Sequence, residues 1–465
     1  MATNERPNRP LTGWRQRTLA LPVAGAAAAG LFTLAFAPHV EPLDAQRAVP
    51  TFAQDVAPIF YENCTTCHRP DGLGPFSLID FEDAKANAGE IGDAIAAGYM
   101  PPWHAEGPHG VFRNDRRLST ADKDTILKWI DAGTPPGDLT RLPPAPVYAS
   151  RWAIGTPDAV VTMAEEFVVP ASGTVEYQYF EVPTNFTEDK WVQALEILPG
   201  ARAVVHHVIV YARVPPGAAT APAAPAAPAG AAAPLPVFAR KPQYAIPPAP
   251  PRLDARHPPP PPLGSIIGTT APGTNVMEFP SGTALRVRAG TVLTFQMHYT
   301  AHGHETADRT SVGFRFAKDA PSEEILVSAF YNGALKLPAG AKDVAVQAEL
   351  EANQPVRIWG LLPHTHLRGT RWQYKLETPD AVPSVILDVP RYDFNWQTYY
   401  LFTTPLEMPA GSRILSTAWY DNSPTNRNNP DATKDVTWGD QTWEEMQYTG
   451  FLYSVPGRPS APAVR

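Results

Sequence analysis

Fifty-four of the 465 residues are proline, more than twice the usual share of roughly 5%, and this limits what the chain can build. Proline removes a backbone donor and breaks helix interiors, so short strands and many loops are expected in place of long helices. From Trp152 onward the texture agrees. Phe167-Val168-Val169, Val204 to Tyr211, Leu293 to Tyr299, Val356 to Leu362 and Ile414 to Tyr420 are alternating or β-branched runs punctuated by Gly, Pro, Asn and Asp. That is the pattern of an all-β sandwich or barrel. Residues 214–263 break it: Ala and Pro dominate, with a five-proline run from Pro258 to Pro262. This stretch reads as a flexible or polyproline-like insertion with no core of its own, inside the first β domain.

The N-terminal third reads differently. Arg15 and Arg17 precede an uncharged run from Leu19 to Ala37, so residues 1–45 read as a signal peptide or an N-terminal membrane anchor. Ala35-Phe36-Ala37 resembles a cleavage site, but Pro38 would hinder cutting there; a site near Ala45 or Ala48 is the alternative. A buried helix is the plain rival reading. The expected location is therefore exported, periplasmic or at the cell surface. Residues 51–135 read as a compact all-α unit. Phe52, Val56, Ile59 and Phe60 recur at helical spacing. Ser119 and Asp122 make a capping-box-like start, Ile126, Leu127 and Ile130 an apolar face, and Gly133 a stop. Residues 136–150 read as a linker. A net charge of −8 supplies no basic surface for nucleic acid.

The two cysteines are Cys64 and Cys67, so no disulfide framework supports the fold. Cys64-Thr65-Thr66-Cys67-His68 is a CxxCH motif, whose spacing lets two thiols bond to haem vinyl groups while His68 ligates the iron. The competing reading is a thioredoxin-like CxxC, but the flanking βαβ pattern is missing. Met100, in Gly98-Tyr99-Met100-Pro101-Pro102-Trp103, is the candidate sixth ligand; its thioether would raise the reduction potential. His104 is the runner-up, and a five-coordinate iron with Met100 as a core residue is the bland alternative. Over residues 52–135 the unit resembles the small cytochrome c family, which implies one covalent haem c.

Five of the twelve histidines fall in three short segments: Val204-Val205-His206-His207-Val208-Ile209-Val210, Phe295-Gln296-Met297-His298-Tyr299 and Pro363-His364-Thr365-His366. Histidines at i and i+2 on a strand point to one side and can grip one metal. An adjacent pair faces opposite ways, so His206 and His207 can share an ion only at a strand end or bulge, or through different ring nitrogens. Each segment alone is more simply read as core or surface histidine.

Taken in order, with Met446 in Trp443-Glu444-Glu445-Met446, the segments resemble the type II copper monooxygenases, the peptidylglycine α-hydroxylating and dopamine β-monooxygenase family. The resemblance spans roughly residues 150–455 and includes Trp419-Tyr420-Asp421-Asn422. It implies two all-β, jelly-roll-like sandwich domains, a first at 151–303 and a second at 304–458, holding two copper ions. His206, His207 and His298 would form the electron-supplying site. His364, His366 and Met446 would form the catalytic site where oxygen binds and the C–H bond is attacked, and Gln296 would lie near the first. Imidazole serves Cu(I) and Cu(II), thioether favours Cu(I), and a His₂Met set argues against zinc. The implied reaction is hydroxylation of a small organic substrate with O₂ and two electrons from an external donor, another redox protein or a small reductant. The haem unit would relay them; a sensing, docking or purely electron-carrying module is the alternative. The chain departs from the family at the substrate. Leu362 stands where the peptide-hydroxylating enzyme has an arginine, and Tyr448 and Gly450 stand where it has Asn and Tyr. A glycine-extended peptide is thus not expected. His302 and His304 read as loop residues. The rivals to the enzyme are a non-catalytic electron-transfer or copper-binding protein and a zinc-dependent hydrolase.

Overall fold

In the computed structural model, residues 49–70, 72, 74–148, 151–216, 236–239, 241–245, 263–271 and 276–457 are described. The expected signal or anchor lies outside these residues, as does most of the Ala/Pro-rich insertion. Among the described residues no helix is long and apolar enough to cross a membrane. Strand accounts for 39% and helix for 12%, so the molecule is mainly β, as the proline content requires.

Helical segments Phe52–Val56, Ala57–Asn63, Phe81–Ala86, Ala88–Ala96 and Thr120–Asp131 precede the strands. The Ser119 hydroxyl accepts from the Asp122 amide at 3.0 Å and donates to its carboxylate at 2.6 Å, so the last of these helices starts where its cap requires. Phe52, Val56, Phe60, Ile91, Ile126 and Trp129 close a small core between them. The stretch between the last two helices does not join it. Trp103 meets Tyr400 at 5.0 Å and Phe112 meets Phe402 at 5.3 Å, inside a core made by strands. The backbone follows: the Arg113 amide donates to Leu401 and the Thr403 amide to Val111, both at 2.9 Å. Fully burying one such ring contributes roughly 1.5–3 kcal/mol, which accounts for this arm leaving its helical neighbours.

The strands build two sandwiches that share one long sheet. In the first, a four-stranded sheet has the order Gln178–Pro183, Val292–Tyr299, Val205–Arg213, Ser265–Thr270. It packs through Val208, Val210, Phe295 and Met297 onto Val192, Leu195, Leu285 and Phe314 of the long sheet. In the second, the order is Val344–Glu351, Arg413–Tyr420, Gly369–Thr378, Ala381–Val389. Trp372, Tyr374 and Ala418 there face Ile358, Leu361, Phe402 and Phe451. The Glu323–Tyr331 strand joins the halves, pairing in parallel with Thr283–Val287 and antiparallel with Tyr448–Ser454.

Two boundaries move. Ser311–Phe316, beyond the division expected at 303/304, pairs with Lys190–Leu198 and buries Val312 and Phe314 in the first core. Within the insertion, residues 236–239 and 241–245 are not wholly coreless. Phe238 bridges Ala352 and meets Tyr453 at 5.0 Å, while Lys241 lies 2.7 Å from Glu349. Phe238, in an Ala/Pro-rich context, found an apolar partner on the second sandwich.

Candidate functional site

Strand pairing assembles the first histidine cluster. His207 and His298 are direct cross-strand partners, and the register slips between Val205 and His207, so His206 occupies a bulge. The bulge turns an adjacent pair onto one side, one of the two ways such a pair can share an ion. Nδ1 of His206 lies 3.2 Å from Nδ1 of His207, and Nδ1 of His298 lies 3.3 Å from it. Metal–nitrogen bonds are ~2.0–2.1 Å, so ligand nitrogens at tetrahedral corners stand ~3.3 Å apart. The three Nδ1 atoms therefore have the spacing of a metal-ligand set, and among the described residues this is the histidine, cysteine and carboxylate group that converges closely enough to hold an ion. The far nitrogen of His207, Nε2, faces the Tyr177 hydroxyl at 3.2 Å.

His364, His366 and Met446 come from a strand end and a turn. The strand Val356–His364 delivers His364. Its Nδ1 faces Gln397 Oε1 at 2.8 Å, and the Gln397 amide nitrogen donates to the Phe394 carbonyl at 3.3 Å, which fixes the amide's orientation. Nδ1 of His366 faces the Glu444 carbonyl at 3.2 Å. A ring nitrogen facing an oxygen acceptor carries the proton, so both imidazoles keep Nε2 for a ligand. The two rings lie 5.2 Å apart. Glu445, fully buried, ties the pieces together. Its Oε2 accepts from the amides of His366 at 2.8 Å and Met446 at 3.2 Å, and its Oε1 from that of Arg368 at 2.7 Å. The Tyr420 hydroxyl donates to the Met446 carbonyl at 2.8 Å.

The two clusters face one cavity of about 230 Å³, lined by His207, His364 and Met446 and walled by Tyr177, Tyr211, Gln296, Leu362, Tyr399, Trp438, Asp440 and Tyr448. Rings of His207 and His364 are 6.5 Å apart across it. Burial pushes every imidazole toward the neutral, ligating form. His206 is lowered; His207 and His366 sit well below the usual value, held there further by their histidine neighbours. His298 and His364 are pushed down to about 4, in His364 against the Gln397 hydrogen bond. Burial also raises the Glu445 carboxyl to about 7, against the three amides it accepts from.

The CxxCH residues form a turn after Ala57–Asn63. Neither cysteine is in a disulfide, and burial of its sulfur, with Cys67 adding, pushes the Cys64 thiol up to about 12. His68 Nδ1 faces the Phe76 carbonyl at 3.2 Å, which leaves Nε2 for a ligand. Gly74 is required at the imidazole: a Cβ there would stand 2.6 Å from His68 Nδ1. Half-buried Met100 follows the Ala88–Ala96 helix, its amide donating to Ala94 at 3.2 Å. His104 is turned to the second sandwich, where Asp393 and Arg391 are its charged neighbours. His302 and His304 are exposed loop residues.

Sequence reasoning missed Tyr177, Gln397 and Phe394, which carry no motif, and took Glu445 only as part of an acidic-Met element. No family model matches the chain, and no curated protein does. Among solved structures, a xanthan lyase from Paenibacillus aligns at 9% identity over 68% of this chain and 28% of its own, with a TM-score of 0.17. PBCV-1 VP54, fitted into a reconstruction of the virophage Sputnik, aligns at 8% over 66% of this chain and 96% of its own, with a TM-score of 0.23. A chain of infectious bursal disease virus, Gx strain, gives 8%, 65%, 74% and 0.17. Likenesses so remote leave the site to be read from its own residues.

Proposed function

We propose that this protein is an exported copper-dependent monooxygenase of the peptidylglycine α-hydroxylating and dopamine β-monooxygenase type, with a fused cytochrome c-like unit as its electron relay. The observation that carries the reading is the pair of donor sets on one cavity, three convergent Nδ1 atoms on one side and His364 with Met446 on the other. Copper, when bound there, supplies one-electron cycling between Cu(I) and Cu(II) for RH + O₂ + 2e⁻ + 2H⁺ → ROH + H₂O. Haem c, when attached to Cys64 and Cys67 with His68 on its iron and Met100 as the sixth ligand, supplies single electrons from an external donor.

The chain's own residues do the rest. His206, His207 and His298, neutral, would hold the electron-supplying ion, and Tyr177 would accept the Nε2–H of His207. Gln397 and the Glu444 carbonyl turn Nε2 of His364 and His366 inward, while Glu445 holds Met446 beside them. The cavity walls choose the substrate. Among the described residues neither lysine nor arginine lines the cavity, and Leu362 fills the place of the carboxylate anchor, so a carboxylate-bearing peptide is not expected. A volume of about 230 Å³ lies below the ~300–1,000 Å³ of drug-sized sites. The substrate is therefore a small, neutral or cationic organic molecule held against tyrosine and tryptophan faces.

Metal and haem content of the purified exported protein tests the reading, followed by an oxygen-uptake screen with a reductant. Two copper ions and one haem per chain, with substrate-dependent oxygen uptake, is the expected result. Two copper ions with no uptake under any substrate would make it a carrier; activity without oxygen or reductant would make it a hydrolase.

A further inference from the structure

One loop touches both histidine clusters. Arg391 to Thr398 follows the strand Ala381–Val389 and precedes Tyr400–Met408. Its Phe394 ring stacks on His206 of the first cluster, 4.8 Å between centroids and 22° between planes. The same ring stands edge-on to His366 of the second, at 6.1 Å and 77°. Gln397 grips the His364 ring. Tyr392 donates from its hydroxyl to the Thr365 carbonyl at 2.9 Å and accepts the Thr365 amide at 3.2 Å. The loop is braced from outside: the Tyr392 amide donates to Thr370 at 2.8 Å, and His104 of the docked arm faces Asp393 and Arg391. The two clusters belong to different sandwiches, joined chiefly through the long sheet. An aromatic ring in van der Waals contact with a ligand from each is a spacer that neither sandwich provides from its core.

We propose that Phe394 is a positioning residue that sets the separation between the two metal sites, its ring wedged between His206 and His366 and its loop fastened to His364 and Thr365. This rests on the two-copper reading. The ring touches ligands rather than the reacting atoms, and it acts by geometry.

The test uses the full haem-bearing protein loaded with Cu(II), read by the magnetic dipolar coupling between the two copper ions. The wild-type protein is expected to show one well-defined coupling, and so one fixed separation between the two ions. Phe394→Ala should spread that coupling over a range of values, Phe394→Leu should retain it, and Phe394→Trp should weaken it by forcing the sites apart. Each copper's own hyperfine pattern and the metal content should stay as in the wild type, since no ligand is removed; a merely structural role for Phe394 would move the stability and leave the coupling alone. Two coppers bound with the same coupling in all three variants overturns the spacer role and leaves the two-copper reading standing. Fewer than two coppers in the wild-type protein overturns the reading itself, and the spacer with it. Since Phe394 is only half-buried on a loop, the leucine and tryptophan variants carry the test even if the alanine variant does not fold.

Discussion

The two histidine clusters leave opposite ring nitrogens free for a metal. In the first, the Nδ1 atoms converge, with Nε2 of His207 backed by Tyr177. In the second, Nδ1 is backed by Gln397 and the Glu444 carbonyl, which leaves Nε2. Their construction differs as well. The first is written into the register of two paired strands and one bulge, so backbone hydrogen bonds of the sheet hold it. The second joins a strand end to a turn 80 residues later through one buried carboxylate. A register-built site should tolerate the loss of its supporting side chains; a site built from tertiary hydrogen bonds should not.

Removing a ligand has the largest effect and asks first whether there are two separate sites. His298→Ala should abolish one metal per chain and leave the other, and His364→Ala should do the converse. The loss should exceed the roughly 10–100-fold that a supporting residue commands, as measured by metal content after equilibrium dialysis. If either variant empties both sites, the clusters are one site and the comparison fails.

Glu445 comes next. Replacing it by alanine strands three buried amides, each costing about 1–3 kcal/mol, so the unfolding midpoint should fall steeply; Glu445→Gln keeps one acceptor and should fall less. In the glutamine variant affinity at the second site should drop while the three-histidine site holds, a split that calorimetric metal titration reads directly. Equal losses at both sites would mean that Glu445 serves the fold at large. Gln397→Leu follows, with a loss of ~10–100-fold confined to the second site. It leaves the Nδ1 proton of His364 without its acceptor, so the ring can turn and offer either nitrogen. Unchanged affinity at that site would place the control of His364 elsewhere.

The difference between the clusters also explains what was legible in the sequence. Strands carrying His207, His298 and His364 announce themselves by alternating apolar residues, and His-x-His on a strand implies a shared side without further information. The bulge at His206 was one of two ways the adjacent pair could act, and only the register between Val205 and Tyr299 decides it. Tyr177, Phe394 and Gln397 were not legible, because each acts across a long separation in sequence and belongs to no local pattern. The same holds for Trp103, Phe112 and Phe238. Each is a lone aromatic among prolines and polar residues, whose partner is set by which apolar surface folding leaves uncovered. The boundary near 303 failed for a related reason: Ser311–Phe316 reads as a strand, but nothing local says which sheet it completes.

Tyr177→Phe should have the smallest effect, and it is the sharpest test of the opposition in ring nitrogens. With the first site ligated through Nδ1, Nε2 of His207 must carry its proton and donate to the Tyr177 oxygen, a contact of 3.2 Å. Losing that acceptor forfeits one net hydrogen bond, about 1 kcal/mol, or roughly fivefold in affinity, since 1.4 kcal/mol is tenfold. The strand register keeps the imidazole in place meanwhile, so the loss should not approach that of Gln397→Leu. The second site, which Tyr177 does not touch through any ligand, should be unaffected. If Tyr177→Phe instead costs as much as removing Gln397, the first cluster depends on side-chain support no less than the second, and sheet pairing does not protect it.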